Sequence, residues 1–291
     1  MLQTTTPLRA GLVIAAGAAV LTACGGDEQS QWEEIEEEGV LTVATSGTLA
    51  PTSFYSDESD ELTGFEVELT REVADRLGLD VEFDEMGFDG MLTSINNGQV
   101  DLAVNDIDIN EQREEQFLFT DPYKFSYGAM IVRQDDYSGI ESMEDLEGKR
   151  HGGAATTIYM EMAEDLGAEG VTYENVTNDV YLENVERGEL DFVMNDYYLQ
   201  SMAAEQLDHI DVTVHPELFY HPNNQAMILK DDSTELQENL NEVLAEMMED
   251  GTITELSEQF FGGQDVSEEP DVDFVDVPDV DDPADDELDD A

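Results

Sequence analysis

Between Val40 and Gly262, short β-rich apolar runs alternate with segments whose apolar residues recur every three or four positions. Short continuous apolar runs suit strands buried on both faces, and the three-to-four-residue recurrence suits helices with one apolar stripe. The order predicts parallel α/β sheets with helices on both sides. Thr63-Gly64-Phe65-Glu66 has the spacing of a capping box. Phe65, Leu69, Val73 and Leu77 then share one face of a helix that Gly78 ends. Residues 40–45, 81–83, 100–104, 117–119, 127–133, 171–173 and 190–195 read as strands. Helices are expected over 90–97, from the Thr156/Thr157 cap to about 166, over 180–187, and from Ser233 to Asp250. A short helix starts at Ser142, and a last one ends at Gly262. No short internal repeat is visible.

The 291 residues include 72 Asp+Glu and only 10 Lys+Arg, a net charge of −62. Such a chain repels nucleic acid, because no basic patch exists to displace phosphate counterions. It must also withstand its own repulsion, which screening over about 3 Å in ~1 M salt relieves. A salt-adapted organism is therefore expected. The apolar fraction of 40% nevertheless argues for a folded chain. No uninterrupted apolar stretch is long enough for a multi-span membrane protein. The only cysteine, Cys24, excludes an internal disulfide and a Cys-rich zinc site.

The two ends differ from the middle. Arg9, the apolar run 10–20 and Leu21-Thr22-Ala23-Cys24 read as an export signal over residues 1–23. Leu-Thr-Ala-Cys resembles the lipobox of prokaryotic lipoproteins. That resemblance implies acylation of Cys24 and a lipid-anchored location on the outer face of the cytoplasmic membrane. A plain signal peptide with an incidental cysteine is the other reading. Residues 24–31 would form a tether. Residues 264–291 hold 14 acids, three prolines and no base, so an acidic, disordered tail is expected. It contains no glycine, which argues against an EF-hand loop.

Along the middle, a series of motifs appears in a fixed order. Gly39-Val40-Leu41-Thr42-Val43-Ala44-Thr45 is followed by Leu62-Thr63-Gly64-Phe65-Glu66, Phe88-Asp89-Gly90-Met91 and Gly98-Gln99-Val100-Asp101-Leu102. Then come Ile109-Asn110-Glu111-Gln112-Arg113, Phe119-Thr120-Asp121-Pro122-Tyr123, Gly188-Glu189-Leu190-Asp191-Phe192 with Asp196, and Asp250-Gly251-Thr252. Over residues 33–262 this order resembles the family 3 extracellular solute-binding proteins, the amino-acid receptors of ABC importers. The resemblance implies a two-lobed, type II periplasmic-binding-protein-like fold. Each lobe would have a central, mainly parallel sheet flanked by helices, with two hinge strands between them. Residues 32–125 plus 221–263 would form lobe one and 126–220 lobe two, with a ligand at the carboxyl ends of strands between them.

A free amino acid needs donors for its carboxylate and acceptors for its ammonium. Arg113 is the best carboxylate partner, since a guanidinium can hold a carboxylate bidentately; a surface ion pair with nearby glutamates is the alternative. Thr156 and Thr157 stand where a helix N-terminus would attract the same carboxylate. Asp196, after an apolar strand, matches the family's ammonium partner. Asp106 and Asp108 depart from the small and hydroxyl residues commoner there, and suggest a second cationic group on the ligand, a water-filled site, or acidity for its own sake. Phe88 would wall the ligand stem. Ser46 and Leu49 complete the set; Leu49 replaces an aromatic residue, for which Phe54 or Tyr55 could compensate. Three segments look like the cystine-binding branch: Asn105-Asp106-Ile107-Asp108, Gly152 to Thr157, and Asn195 to Gln200.

No cofactor and no metal site is expected: His151, His209, His215 and His221 are scattered without ligand spacing. Asn175-Val176-Thr177 is a glycosylation sequon. The resemblance implies a monomeric receptor that binds a free amino acid, with cystine as one candidate, and docks on ABC permease subunits. Two alternatives remain: a cyclohexadienyl-type dehydratase on the same scaffold, using Asp106 or Asp108 as its acid, and a sensory ectodomain.

Overall fold

The computed structural model describes residues 30–56, 59–173 and 175–277. The expected export signal, Cys24 and the end of the acidic tail lie outside the described residues.

Val40–Thr45 is an inner strand of a five-stranded sheet. Asp80–Glu85 and Leu102–Ala103 flank it in parallel. Ile228–Lys230 follows, antiparallel both to Leu102–Ala103 and to the edge strand Phe117–Phe119. Leu41 and Val43 pack beneath the helices Phe65–Leu77 and Thr234–Glu249. Ala44 faces the other way, onto Met91 and Ile95 of the helix Phe88–Asn96. Burial on both faces explains why this strand reads as a continuous apolar run.

The second lobe is organised by one long strand, Lys124–Arg133. Val193–Asp196, Val212–Val214 and Tyr220–Gln225 all pair with it antiparallel. Arg150–Gly153 and Glu169–Thr172 form a parallel pair, joined to this sheet by a His151–Phe192 bridge. The expectation of mainly parallel sheets is therefore corrected to mixed ones. A strand buried on both faces shows the same apolar run in either direction, so its sequence carries no sign of orientation. Lys124–Arg133 and Tyr220–Gln225 lie side by side.

Three local expectations change. The capping box at Thr63 does not form: Gly64 is the N-cap, with no side-chain cap bond. Thr63 Oγ1 donates to Glu68 Oε1 at 2.9 Å, while the buried Glu66 turns inward to Asp106 N at 2.6 Å and to the Tyr123 hydroxyl. Gly64 is required here: φ is 132°, and a Cβ would lie 2.2 Å from Thr52 O. A helix not read from sequence, Gln31–Glu38, precedes the first strand and buries Trp32 and Ile35.

The third change concerns the tail. Residues 264–277 run over the surface of the body, fixed to it at a few apolar anchors. Val266 is fully buried, and its carbonyl accepts from Phe125 N at 2.7 Å. Phe274 packs edgewise on Tyr127, Val275 N donates to Phe219 O at 2.8 Å, and Val275 and Val277 cover the second lobe's core. Averaged composition hid these few apolar anchors among the acids.

Candidate functional site

A cleft opens between the two sheets. Ser46, Leu49, Phe88, Asp106, Asp108 and Arg113 line its first side, and Gly153, Thr157, Tyr159, Tyr181, Asn195 and Leu199 are among those lining the second. The lips meet: Thr48 Oγ1 donates to Asn175 Oδ1 at 3.1 Å, and Thr156 Oγ1 to Asp89 Oδ1 at 2.5 Å.

Arg113 lies on the one-turn helix Glu111–Glu114, whose N-cap Asn110 accepts from Arg113 N at 2.8 Å. The guanidinium stands 5.3 Å from the centroid of the Phe88 ring. It donates to two main-chain carbonyls, Asp108 O at 2.9 Å and Thr156 O at 3.4 Å. A ring and two main-chain carbonyls hold the cation at the cleft, near the Asp108 carboxylate. Thr157 caps the helix Ile158–Asp165 by accepting from Met160 N at 3.2 Å, so a helix N-terminus also reaches the cleft.

Beside and beneath these groups lie buried acids. Asp108 accepts from Gln225 Nε2 at 3.0 Å. Burial raises its pKa, against the pull of Arg113 and His221. Asp106 adopts φ 57°. Its pKa is held well above the carboxylate range, first by burial and then by repulsion from Asp196, against the attraction of Lys124. Glu66, behind it, is pushed up to about 7, mainly by burial.

Lys124 organises the acids. Its Nζ lies 2.5 Å from Asp106 Oδ1 and 2.9 Å from Asp196 Oδ2, with the whole residue 0% exposed. Burial opposes its charge, but the two carboxylates more than offset this and raise its pKa above the ordinary lysine value. Asp196 is 1% exposed and is not part of the cleft lining. Its Oδ2 meets Lys124, and its Oδ1 accepts from Leu199 N at 3.0 Å, capping the helix Tyr197–Gln206.

The structure therefore brings Ser46, Leu49, Phe88, Asp106, Asp108, Arg113 and Thr157 together around one cleft. Four other candidates stand elsewhere. Asp196 is directed at Lys124 rather than at the cleft. The side chain of Thr156 reaches across to Asp89, leaving only its carbonyl beside Arg113. Phe54 and Tyr55 stand off the lining and do not replace the aromatic wall lost at Leu49. The strand Ser53–Tyr55 instead turns Ser53 inward, accepting from Thr45 Oγ1 at 2.7 Å and Gly47 N at 3.2 Å. Tyr55 donates outward to Glu85 Oε1 at 2.5 Å. Aromatic surface comes from the other lobe, through Tyr159 and Tyr181.

Sequence reasoning missed Lys124, Tyr159 and Tyr181, and named Asn105 and Asn195 only within the segments that look like the cystine-binding branch. A signal existed for one of them: Lys124 is one of only three lysines in a chain with 72 acids and directly precedes a β-rich apolar run. Asn175, read as a sequon, lines the cleft mouth. His151 is buried, accepts from Met194 N at 3.2 Å, and is kept neutral by burial, with its pKa lowered to about 3.

Residues 41–144 and 136–263 match the sequence model of the bacterial extracellular solute-binding proteins, family 3. A Bacillus subtilis (strain 168) protein described as a probable ABC transporter extracellular-binding protein, YckB, is 51% identical over 265 residues, 89% of this chain and 92% of the relative. The L-cystine-binding protein TcyA of the same organism is 32% identical over 266 residues, covering 88% and 97%. The crystal structure of YckB superposes with a TM-score of 0.68 at 53% identity, over 84% of this chain and 99% of the other. With a family match spanning most of its length and a two-lobed α/β body around a charged cleft, the chain belongs to the bacterial extracellular solute-binding proteins, family 3.

Proposed function

We propose that the chain captures a free amino acid in the cleft and delivers it to the permease of an ABC transporter. The observation that carries this reading is the arrangement of one cleft. A buried guanidinium, stacked on Phe88 and adjoining a helix N-terminus, shares it with Asp106 and Asp108. A zwitterion's carboxylate would take Arg113 and the Thr157 helix end, and its ammonium the acids. L-Cystine is the leading ligand, because TcyA, similar to this chain over most of its length, is a cystine binder by name.

The lobes would divide at residues 126 and 220, with closure about the two strands that lie side by side there. The receptor would act as a monomer, held outside the cytoplasmic membrane by a lipid on Cys24. Its role is binding rather than catalysis.

Calorimetry with a panel of amino acids including L-cystine tests the reading. Wild-type protein is expected to bind at least one amino acid, and Arg113→Met to lose at least about 100-fold, the scale of a buried charge-assisted pair. Absence of binding across the panel would refute it. Labelling with a radioactive fatty acid, expected to disappear in Cys24→Ala, tests the anchor.

A further inference from the structure

The Lys124 ammonium occupies a receptor built for a cation. Two carboxylates, Asp106 and Asp196, contact it at 2.5 and 2.9 Å. The rings of Tyr198 and Phe261 flank it, with centroids 5.8 and 5.6 Å away. Carboxylates and aromatic faces are the chemistry that recognises a free ammonium group. Here the occupant is the chain's own side chain.

We propose that Lys124 is a specificity-determining residue: it stands in for a side-chain alkylammonium group and so excludes from the cleft amino acids whose side chain ends in a lone ammonium, as in lysine and ornithine. The inference rests on the amino-acid reading above and refines it. The charge count supports it. Asp106 and Asp196 share one internal cation, so the lone ammonium of a lysine-like side chain finds no carboxylate pair of its own, whereas the second ammonium of cystine brings its own carboxylate. Asp106 lines the cleft, whereas Asp196 and the ammonium lie behind it. Removing Lys124 would leave two carboxylates and two ring faces around a vacant, four-atom space that adjoins the cleft. A buried charge that loses its partner is strongly unfavourable, and the ammonium at the end of a lysine or ornithine side chain would relieve it.

The test compares wild type with Lys124→Ala by calorimetry, using L-lysine, L-ornithine and the monobasic panel. The affinity of L-lysine or L-ornithine relative to the tightest monobasic ligand is expected to rise at least tenfold in Lys124→Ala, equivalent to about 1.4 kcal/mol. An unchanged ratio in the folded variant would overturn the proposal while leaving the amino-acid reading intact. Absence of any binding by wild type would overturn that reading, and the proposal with it.

A variant too unstable for calorimetry is tested by thermal melting in n-propylammonium chloride against sodium chloride at equal ionic strength. This amine replaces the atoms that the substitution removes. Lys124→Ala is expected to gain several degrees from the amine and wild type none. Equal responses of the two proteins would also overturn the proposal.

Discussion

The hydroxyl of Thr156 donates to Asp89 Oδ1 at 2.5 Å, joining residues 67 positions apart on opposite lips of the cleft. The bond runs from the end of the second lobe's Arg150–Gly153 region to the first turn of the helix Phe88–Asn96, the same helix that presents Phe88 to Arg113. One helix thus carries both a contact between the lips and the ring beside Arg113.

This contact bears on closure more than on ligand chemistry. A hydrogen bond to a charged group contributes about 1.5–3 kcal/mol, less when exposed, as this one is. Thr156→Val is expected to weaken ligand affinity by about two- to tenfold, because a ligand that selects the closed form must then supply more of the closing free energy. Small-angle scattering checks the cause: the ligand-free variant should have a larger radius of gyration than ligand-free wild type. Equal radii would assign Thr156 to direct ligand contact instead.

The buried Glu66 makes stability depend on pH in a stated direction. Its folded pKa, about 7, lies above the ordinary value of 4.5. The folded state thus holds its proton more tightly than the unfolded state does. The resulting stabilisation is complete below about pH 4.5 and is lost as pH rises to 7, by up to about 3 kcal/mol. Glu66→Gln should lack this part of the pH dependence. Urea melts of both proteins at pH 5 and pH 7.5 read it as a difference between differences, which cancels the background of the other acids. His151 acts in the opposite sense. Its folded pKa of about 3 lies below 6.5, so its contribution is present above pH 6.5 and is lost as pH falls toward 3.

Residues 264–277 run from the last helix across the strand Lys124–Arg133 to the second lobe. Ser257 Oγ donates to Gln264 O at 2.8 Å and accepts from Val266 N at 2.6 Å. A chain ending at Gly263 is expected to lose about 2–4 kcal/mol, the scale of uncovering one fully buried valine and the partly buried Val275 and Val277. Val266→Ala alone should account for about 1–2 kcal/mol of it. Denaturant midpoints measure both, and an unchanged midpoint in the shortened chain would show that the segment contributes nothing.

The charge of −62 predicts a steep response to salt. Melting temperature should rise between 0.05 and about 1 M KCl as screening shortens to about 3 Å. The ion pairs of Lys124, fully enclosed, should not weaken over the same range. A flat melting series would remove the argument for salt adaptation.

The expected helices at 65–77 and 157–166 and the strands near residues 40 and 130 were legible because each is written in a local period. Apolar spacing, a glycine in the left-handed region at Gly78, and a threonine cap at Thr157 act within one or two turns. The cleft residues that belong to recognisable local motifs, such as Phe88, Arg113 and Thr157, were legible for the same reason. Strand direction in the second lobe was not, because a doubly buried strand looks alike both ways. Glu66 has the spacing of a cap residue, yet it turns inward once Asp106 N and the Tyr123 hydroxyl, 40 and 57 positions away, become available.

Sequence alone determined the alternating α/β order, the excess of acid, and the identity of the guanidinium that meets the cleft. Only the tertiary structure decided which charges pair. Lys124 is 18 residues from Asp106 and 72 from Asp196, and no local pattern records that folding brings the three within 3 Å. Coulomb energy depends on distance and on the exclusion of water, and both are properties of the packed chain. The same aspartate reads as a ligand anchor in one dimension and as the partner of an internal lysine in three.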